Sequence, residues 1–84
     1  MKISRESIDL NFMKSIFQES LEIDVSNLEL DSEFESVEHW DSLGHVRIVS
    51  ELEEKLNLEF DIEEIIGRDT IQKLIDMVLK KLPE

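Results

Sequence analysis

A serine near the middle of the chain stands where it could carry chemistry, in the stretch HWDSLGHVRI (residues 39–48). Asp41 precedes Ser42 and is expected to cap a helix, its carboxylate accepting hydrogen bonds from the free amides of Leu43 or Gly44. Ser42 would then be the first residue inside that helix. Unpaired amides and the positive end of the helix dipole favour a phosphate there. The residues alone leave two roles open for Ser42: it assists the cap, or it anchors a phosphate-linked group.

Two other kinds of site fail on mechanism. The acidic run from Asp31 to Ser42 has the length of a calcium loop, but Ser36 stands where the turn needs glycine and Ser42 where a bidentate glutamate belongs. A hydrolase would pair Ser42 with His45, yet a chain of 84 residues has little material for an oxyanion site and a pocket. His45 projects among apolar positions, which predicts a structural role, and with His39 it lacks a third metal ligand.

Apolar residues recur every three or four positions, which predicts helices. The first helix is expected from near Ser4 to Leu21. The second begins after Asp41 and is expected to bury the stripe Leu43, Val46, Val49, Leu52 and Leu56, with Ile48 at its edge. Between them, the connection 22–41 carries the apolar anchors Val25, Leu28, Leu30, Phe34 and Val37. These anchors predict a packed loop rather than a flexible linker.

Caps define two further helices. Asp61 and Glu64 have the spacing of a capping box, and Gly67 is expected to end this short third helix. Asp69 with Gln72 is expected to start the fourth, which buries the stripe Ile71, Leu74, Ile75, Val78 and Leu82. The sequence therefore predicts an all-α fold: a small four-helix bundle with three main helices, a short third helix and a long first loop.

Composition restricts the partners. The net charge is −12, and 13 acidic residues against two basic ones lie between Glu29 and Glu64. An acidic surface argues against nucleic acid and suits basic protein partners. The chain contains no cysteine and no apolar run long enough to insert into a membrane. We expect a single domain over residues 1–84, monomeric and cytoplasmic.

The segment WDSLGHVRIVSELEEKLNLEF (residues 40–60) resembles the modification site and following helix of the acyl carrier protein family, whose signature is Asp-Ser-Leu at the start of the second helix. The helix order and lengths along most of the chain are similar too. The resemblance implies that Ser42 carries 4′-phosphopantetheine. In the family, a phosphopantetheinyl transferase uses coenzyme A and magnesium; the serine hydroxyl attacks the β-phosphate and 3′,5′-ADP leaves. Asp41 and Leu43 would contact the transferase beside the arm, whose thiol carries the acyl thioester.

The same resemblance implies docking by the second helix. Glu51, Glu53 and Glu54, with Glu59 beyond them, would meet basic patches on acyl-activating, condensing or acyl-transfer enzymes. The alternative for any one of them is an exposed helix surface with salt bridges, such as Glu51 to Lys55.

Three positions depart from the fatty-acid carriers of the family. Gly44 and Arg47 stand where those carriers usually have acids, which leaves Arg47 as a further candidate for partner docking. Trp40 replaces a small residue and is expected to pack over the helix start against His45. These departures favour a discrete carrier dedicated to a specialised pathway over the housekeeping fatty-acid carrier. The resemblance as a whole implies a carrier of fatty-acid or polyketide biosynthesis. Two alternatives stay open: an aminoacyl or D-alanyl carrier, and an unmodified acidic helical adaptor.

Overall fold

A computed structural model describes residues 4–82 of the chain. It contains the helices α1 (Leu10–Leu21), α2 (Ser42–Leu56), α3 (Ile62–Ile65) and α4 (Ile71–Lys81), and a 3₁₀ turn at Arg5–Ser7 precedes α1. Over these residues the only β-type pairing is an isolated bridge between Glu33 and Thr70. The predicted all-α fold, with three main helices, a short third helix and a long first loop, is confirmed.

The start of α1 differs from the prediction. Ser4 caps only the 3₁₀ turn, its hydroxyl accepting from the amide of Glu6, and the chain is extended at Ile8. Asp9 then caps α1, with its carboxylate 3.0 Å from the amide nitrogen of Phe12. An aspartate that bonds an amide three residues ahead starts a helix at its own position, so the periodic pattern upstream does not continue as one helix.

The buried face of α2 also differs from the predicted stripe. Ile48, expected at the edge, is fully buried with Leu52, whereas Leu43 and Val46 are 62% and 54% exposed. Each step of three residues falls about 60° short of a full turn, so three such steps carry Leu52 about 180° from Leu43. A stripe built on steps of three therefore winds around the helix. Val49 and Leu56 are buried as expected.

The long first loop is packed, as predicted. Leu28 is buried, and Val25, Phe34 and Val37 pack against the core, while Leu30 is 41% exposed and is not an anchor.

The loop also pairs with the start of α4. The amide of Ile71 donates to the carbonyl of Ser32 at 3.3 Å, and that of Gln72 donates to Leu30 at 2.9 Å. The loop thus satisfies helix-start amides that have no partner inside α4. The side-chain cap comes from Thr70, which accepts from the amide of Lys73, and not from Asp69.

The turn around α3 follows the prediction. Glu64 accepts from the amide of Asp61 at 2.9 Å in a capping box, and Gly67 has a left-handed φ of 81°. The expected core of α4 is buried at Ile71, Leu74, Ile75 and Val78, and Met77 joins it, whereas Leu82, also expected there, lies just past the helix and is only partly buried.

Candidate functional site

Ser42 is the first residue of α2 and is exposed to solvent. Asp41 caps the helix as predicted: its Oδ1 is 2.9 Å from the amide nitrogen of Gly44, and its carbonyl accepts from the amide of His45 at 2.7 Å. The amides of Ser42 and Leu43 have no acceptor within residues 4–82. Two free donors and the positive end of a 15-residue helix thus lie beside the serine hydroxyl.

Gly44 has a steric role that its place in the sequence does not reveal. It is buried, and a Cβ atom built on it would collide with the carbonyl oxygen of His39 and lie 3.1 Å from a methyl group of Leu21. The missing side chain lets the end of the first loop approach the first turn of α2. The sequence predicts a cap bond at the amide of Gly44 and shows a missing acid there, but not this steric role, because a close backbone approach leaves no periodic signal.

Trp40 and His45 form the interior support of the site. Trp40 is fully buried, and its Nε1 donates to Nδ1 of His45 at 3.0 Å. His45 therefore carries its own hydrogen on Nε2, which donates to the carbonyl of Ile65 at 3.1 Å. The two rings lie nearly parallel and edge to edge, with an interplanar angle of 19° and ring centroids 6.2 Å apart. Phe17 meets Trp40 edge-on, with ring centroids 4.9 Å apart.

This arrangement confirms the predicted packing of Trp40 against His45 and the structural role of the histidine. Both ring nitrogens of His45 are used, one by the loop and one by the end of α3. Neither is left to take the proton of Ser42, so the serine–histidine pair that a hydrolase would need is not formed.

A cleft of about 530 Å³ opens beside Ser42, between the start of α2, the first loop and α3. Its walls are mostly apolar, from Phe34, Ile62, Ile65 and Ile66 together with the ring of His45. Gly67, Arg68 and Asp69 complete the lining. The size falls within the range of roughly 300–1,000 Å³ that is typical of small-molecule sites.

Exposed apolar side chains surround the serine. Of the five large hydrophobic residues that are exposed within residues 4–82, four lie near this end of the molecule: Leu43, Val46, Ile62 and Ile66. The last two are each 69% exposed. Leu43 was expected both to begin the buried stripe, which is wrong, and to face partners, which its exposure permits. Val46, Ile62 and Ile66 were missed, because apolar residues in a helical pattern are ordinarily assigned to the core.

The five charged residues predicted to dock partners differ in their surroundings, and Glu59, between α2 and α3, is exposed. Glu54 is exposed and Arg47 is exposed, and Arg47 forms no ion pair within residues 4–82. Glu53 is half-buried and accepts from the amide of Phe60 at 2.8 Å, which ties the end of α2 to the turn before α3. Glu51 lies beside Glu19 of α1. Their role in docking stays a prediction.

Glu19, Glu51 and Lys55 form a charged cluster where α1 meets α2. The salt bridge of Lys55 is to Glu19, at 2.8 Å, and not to Glu51 as the sequence suggested. The hydrogen bond from Lys55 lowers the pKa of Glu19. The hydrogen bond with Glu19, aided by desolvation, raises the pKa of Glu51, because a second carboxylate beside the first is disfavoured.

Two general features of the structure bear on the kind of site. Between residues 4 and 82, no three side chains among the histidines, aspartates and glutamates are grouped closely enough to hold a metal ion. None of the helices in that part of the chain is long and apolar enough to cross a membrane.

Comparison with known protein families matches most of the chain to one family model. The family described as the phosphopantetheine attachment site matches residues 11–78, from the first turn of α1 to the last part of α4. The matched range contains Ser42, its cap, the buried tryptophan–histidine pair and every residue that lines the cleft.

Proposed function

Because the chain belongs to the phosphopantetheine attachment site family, we propose that Ser42 is its attachment residue and that it shuttles thioester-linked acyl groups between the enzymes of a pathway. Members of this family are carriers rather than catalytic domains, and the group they bear is 4′-phosphopantetheine. When bound, this group supplies a thiol at the end of a flexible arm, which the chain, having no cysteine, does not possess.

The observation that carries the proposal is the position of Ser42. Its hydroxyl is exposed, and the amides of Ser42 and Leu43 are free to donate to a phosphate on the serine oxygen. Asp41 occupies the next amide, that of Gly44, and so leaves these two donors for the phosphate. The residues present therefore fit a phosphodiester at this point.

Attachment is a phosphoryl transfer in which this chain supplies the nucleophile. The Oγ of Ser42 attacks the β-phosphorus of coenzyme A, the new serine–phosphate bond forms, and the bond to 3′,5′-ADP breaks. The hydroxyl proton leaves to a base of the transferase or to water. Because Ser42 lies at the tip of α2, a second protein can reach its hydroxyl without displacing the core.

Two surfaces support recognition by partners. The apolar side chains of Leu43, Val46, Ile62 and Ile66 stand exposed around the serine, as in the centre of a protein interface. The acidic excess of α2 and its flanks, with Glu54 on the exposed face, would attract basic patches on the transferase and on acyl-handling enzymes.

The cleft beside Ser42 supports shelter of the cargo. It is apolar, it opens at the serine, and its 530 Å³ would accommodate a short acyl chain folded back along the arm. A chain tethered at Ser42 meets the cleft at an effective concentration on the order of millimolar, so weak contacts suffice to hold it.

The test is a modification experiment with a matched serine. The full chain is co-expressed with a broad-specificity phosphopantetheinyl transferase, and its intact mass is compared with that of Ser42→Ala and Ser50→Ala. Ser50 is an exposed serine on the same helix. We expect the wild type and Ser50→Ala to gain one phosphopantetheinyl group and Ser42→Ala to gain none. No gain on the wild type would support the adaptor alternative, and a gain on Ser42→Ala would place the group elsewhere.

The kind of cargo is tested on the modified protein. Adenylating enzymes that activate fatty acids and enzymes that activate amino acids are offered in competition, and the thioester formed is identified by mass. Acyl loading is the expected result. Preferential aminoacyl loading would replace the acyl carrier with an aminoacyl or D-alanyl carrier of the same fold.

A further inference from the structure

Among residues 4–82, Arg68 is the one cation that lines the cleft beside Ser42. Arg68 follows α3 and is half-buried, and its Nε donates to the carbonyl oxygen of Glu64 at 2.8 Å. This bond fixes the guanidinium against the end of α3. Its two terminal nitrogens form no hydrogen bond and no ion pair with any residue from 4 to 82.

The carboxylates nearest in sequence are already engaged by lysines. Glu64 pairs with Lys81 at 2.9 Å and accepts from the amide of Asp61. Asp69, which also lines the cleft, pairs with Lys73 at 2.8 Å. Within residues 4–82 the guanidinium of Arg68 therefore forms no ion pair of its own, although its charge contributes, after the bonds from Asp61 and Lys81, to the lowered pKa of Glu64.

We propose that Arg68 binds the terminal carboxylate of the acyl group on Ser42, so that this carrier is adapted to acyl chains that end in a carboxylate. The proposal rests on the proposed carrier function and names its substrate class. Ile62, Ile65 and Ile66 offer apolar contact to the methylene run of such a chain. The planar fork of the guanidinium matches a carboxylate in two parallel hydrogen bonds.

An acyl chain with a methyl end is a poorer fit to this lining. It would cover part of the guanidinium and remove water from it without supplying an acceptor, which costs free energy. The phosphate of the arm is a second anion within the chain's reach, but the free amides of Ser42 and Leu43 lie directly beside the oxygen that bears it. Arg68 therefore remains available to the carboxylate at the far end of the acyl chain.

The experiment compares two cargoes of six carbons. The unmodified full chain is loaded by the transferase from hexanoyl-coenzyme A and from adipoyl-coenzyme A, and intact mass confirms loading. The rate at which hydroxylamine cleaves each thioester is then divided by the rate for the same thioester on coenzyme A. We expect the protein to slow cleavage of the adipoyl thioester about threefold to tenfold more than that of the hexanoyl thioester.

Variants identify the cation. Arg68→Gln should abolish the preference for adipoyl, and Arg68→Lys should retain part of it, because an ammonium keeps the charge and loses the fork. The matched control Lys80→Gln removes an exposed positive charge from the last turn of α4, outside the cleft, and should leave the preference unchanged.

Two outcomes would overturn the proposal while the carrier function stands. One is equal protection of the two thioesters on the loaded wild type, and the other is a preference that survives in Arg68→Gln. A change of the ³¹P shift in Arg68→Gln before any cargo is added, without a cargo preference, would assign the cation to the phosphodiester instead. Failure of both coenzyme A thioesters to load would contradict the carrier function itself.

Discussion

The two sides of α2 are built in opposite ways. Toward α1, Ile48 and Leu52 are fully buried, the backbone at Gly44 leaves no space for a side chain, and Trp40 meets Phe17 in the interior. Toward α3, an open cleft of about 530 Å³ separates the elements, and apolar side chains at its rim are left to solvent. His45 joins the two sides, with Trp40 bonded to one ring nitrogen and Ile65 to the other.

Within α2, the residues that stabilise the fold therefore lie on one side, and the residues available to partners and cargo lie elsewhere. The closed side carries the burial that holds the bundle together, and the open side carries apolar surface that the fold itself does not use. Substitutions on the closed side should therefore lower the free energy of unfolding, and substitutions on the open side should affect partners and cargo with little cost to the fold.

The largest effect is expected from Trp40→Ala. The substitution removes a fully buried ring and leaves Nδ1 of His45 without its donor, so the free energy of unfolding should fall by about 3–5 kcal/mol. Urea unfolding followed by circular dichroism measures the loss. Leu43→Ala, at a residue of α2 that is 62% exposed, is the control and should change stability by less than about 0.5 kcal/mol. Similar losses in the two variants would break the comparison.

Substitutions at the two glycines test the comparison of the two sides further, because each glycine is needed for a different reason. Gly44→Ala would press a methyl group into the carbonyl of His39 and should cost about 1–3 kcal/mol. Gly67→Ala meets nothing within 4 Å but must adopt a left-handed φ of 81°, at a cost of about 1 kcal/mol.

Asparagine distinguishes the two causes. It adopts the left-handed conformation more readily than alanine, so Gly67→Asn should recover part of the stability, whereas Gly44→Asn should be at least as damaging as Gly44→Ala. Thermal unfolding of the four variants provides the comparison. Recovery at Gly44 would show that its side-chain space is not the constraint.

Features set by local chemistry could be predicted from the sequence. The cap at Asp41, the capping box of Asp61 with Glu64 and the left-handed turn at Gly67 each depend on a few neighbouring residues, and the structure has them where expected. The position of Ser42 at a helix tip follows directly from the first of these.

Features set by distant neighbours could not be predicted. Helical spacing separates Leu43 from Leu52, but which of these two faces is covered depends on where α1 and α3 lie. The sequence predicted Asp69 as the cap of α4, but Thr70 is the cap, at the point where the backbone of the first loop pairs with this segment. The cleft forms only where the start of α2, the first loop and α3 come together, and no local sequence pattern predicts their relative positions.

A moderate effect is expected at two exposed apolar residues near Ser42, Ile62 at the cleft and Leu43 in the first turn of α2. Leu43→Ser and Ile62→Ser remove apolar contact area close to Ser42, so modification by the transferase should slow about tenfold while the free energy of unfolding stays within about 0.5 kcal/mol of the wild type. Intact mass sampled over time gives the rate. Leu30→Ser, at an exposed leucine of the first loop, is the control and should be modified normally. Equal slowing in all three variants would show that Leu43 and Ile62 are not specifically recognised by the transferase.

The smallest effect tests the closed side at its edge. Ionised Glu51 faces the carboxylate of Glu19, which raises its pKa above the ordinary value of 4.5. A raised carboxyl pKa means that ionisation opposes folding, so this cost is absent below the ordinary value, grows as the pH rises above it and is complete above the raised pKa. Glu51→Gln should therefore stabilise the protein by about 0.3 kcal/mol at neutral pH. The difference should disappear near pH 4, where wild-type Glu51 has taken up its proton.

Urea unfolding at the two pH values measures this difference. Glu38→Gln, at an exposed residue of the first loop, is the control for loss of one negative charge. Lys55 bridges to Glu19 whether or not Glu51 is charged, so the α1–α2 contact itself should survive the substitution. An equal gain in both variants would assign the effect to the net charge of −12 rather than to the carboxyl pair. A gain confined to Glu51→Gln at neutral pH would show that one helix contact on the closed side carries a small electrostatic cost.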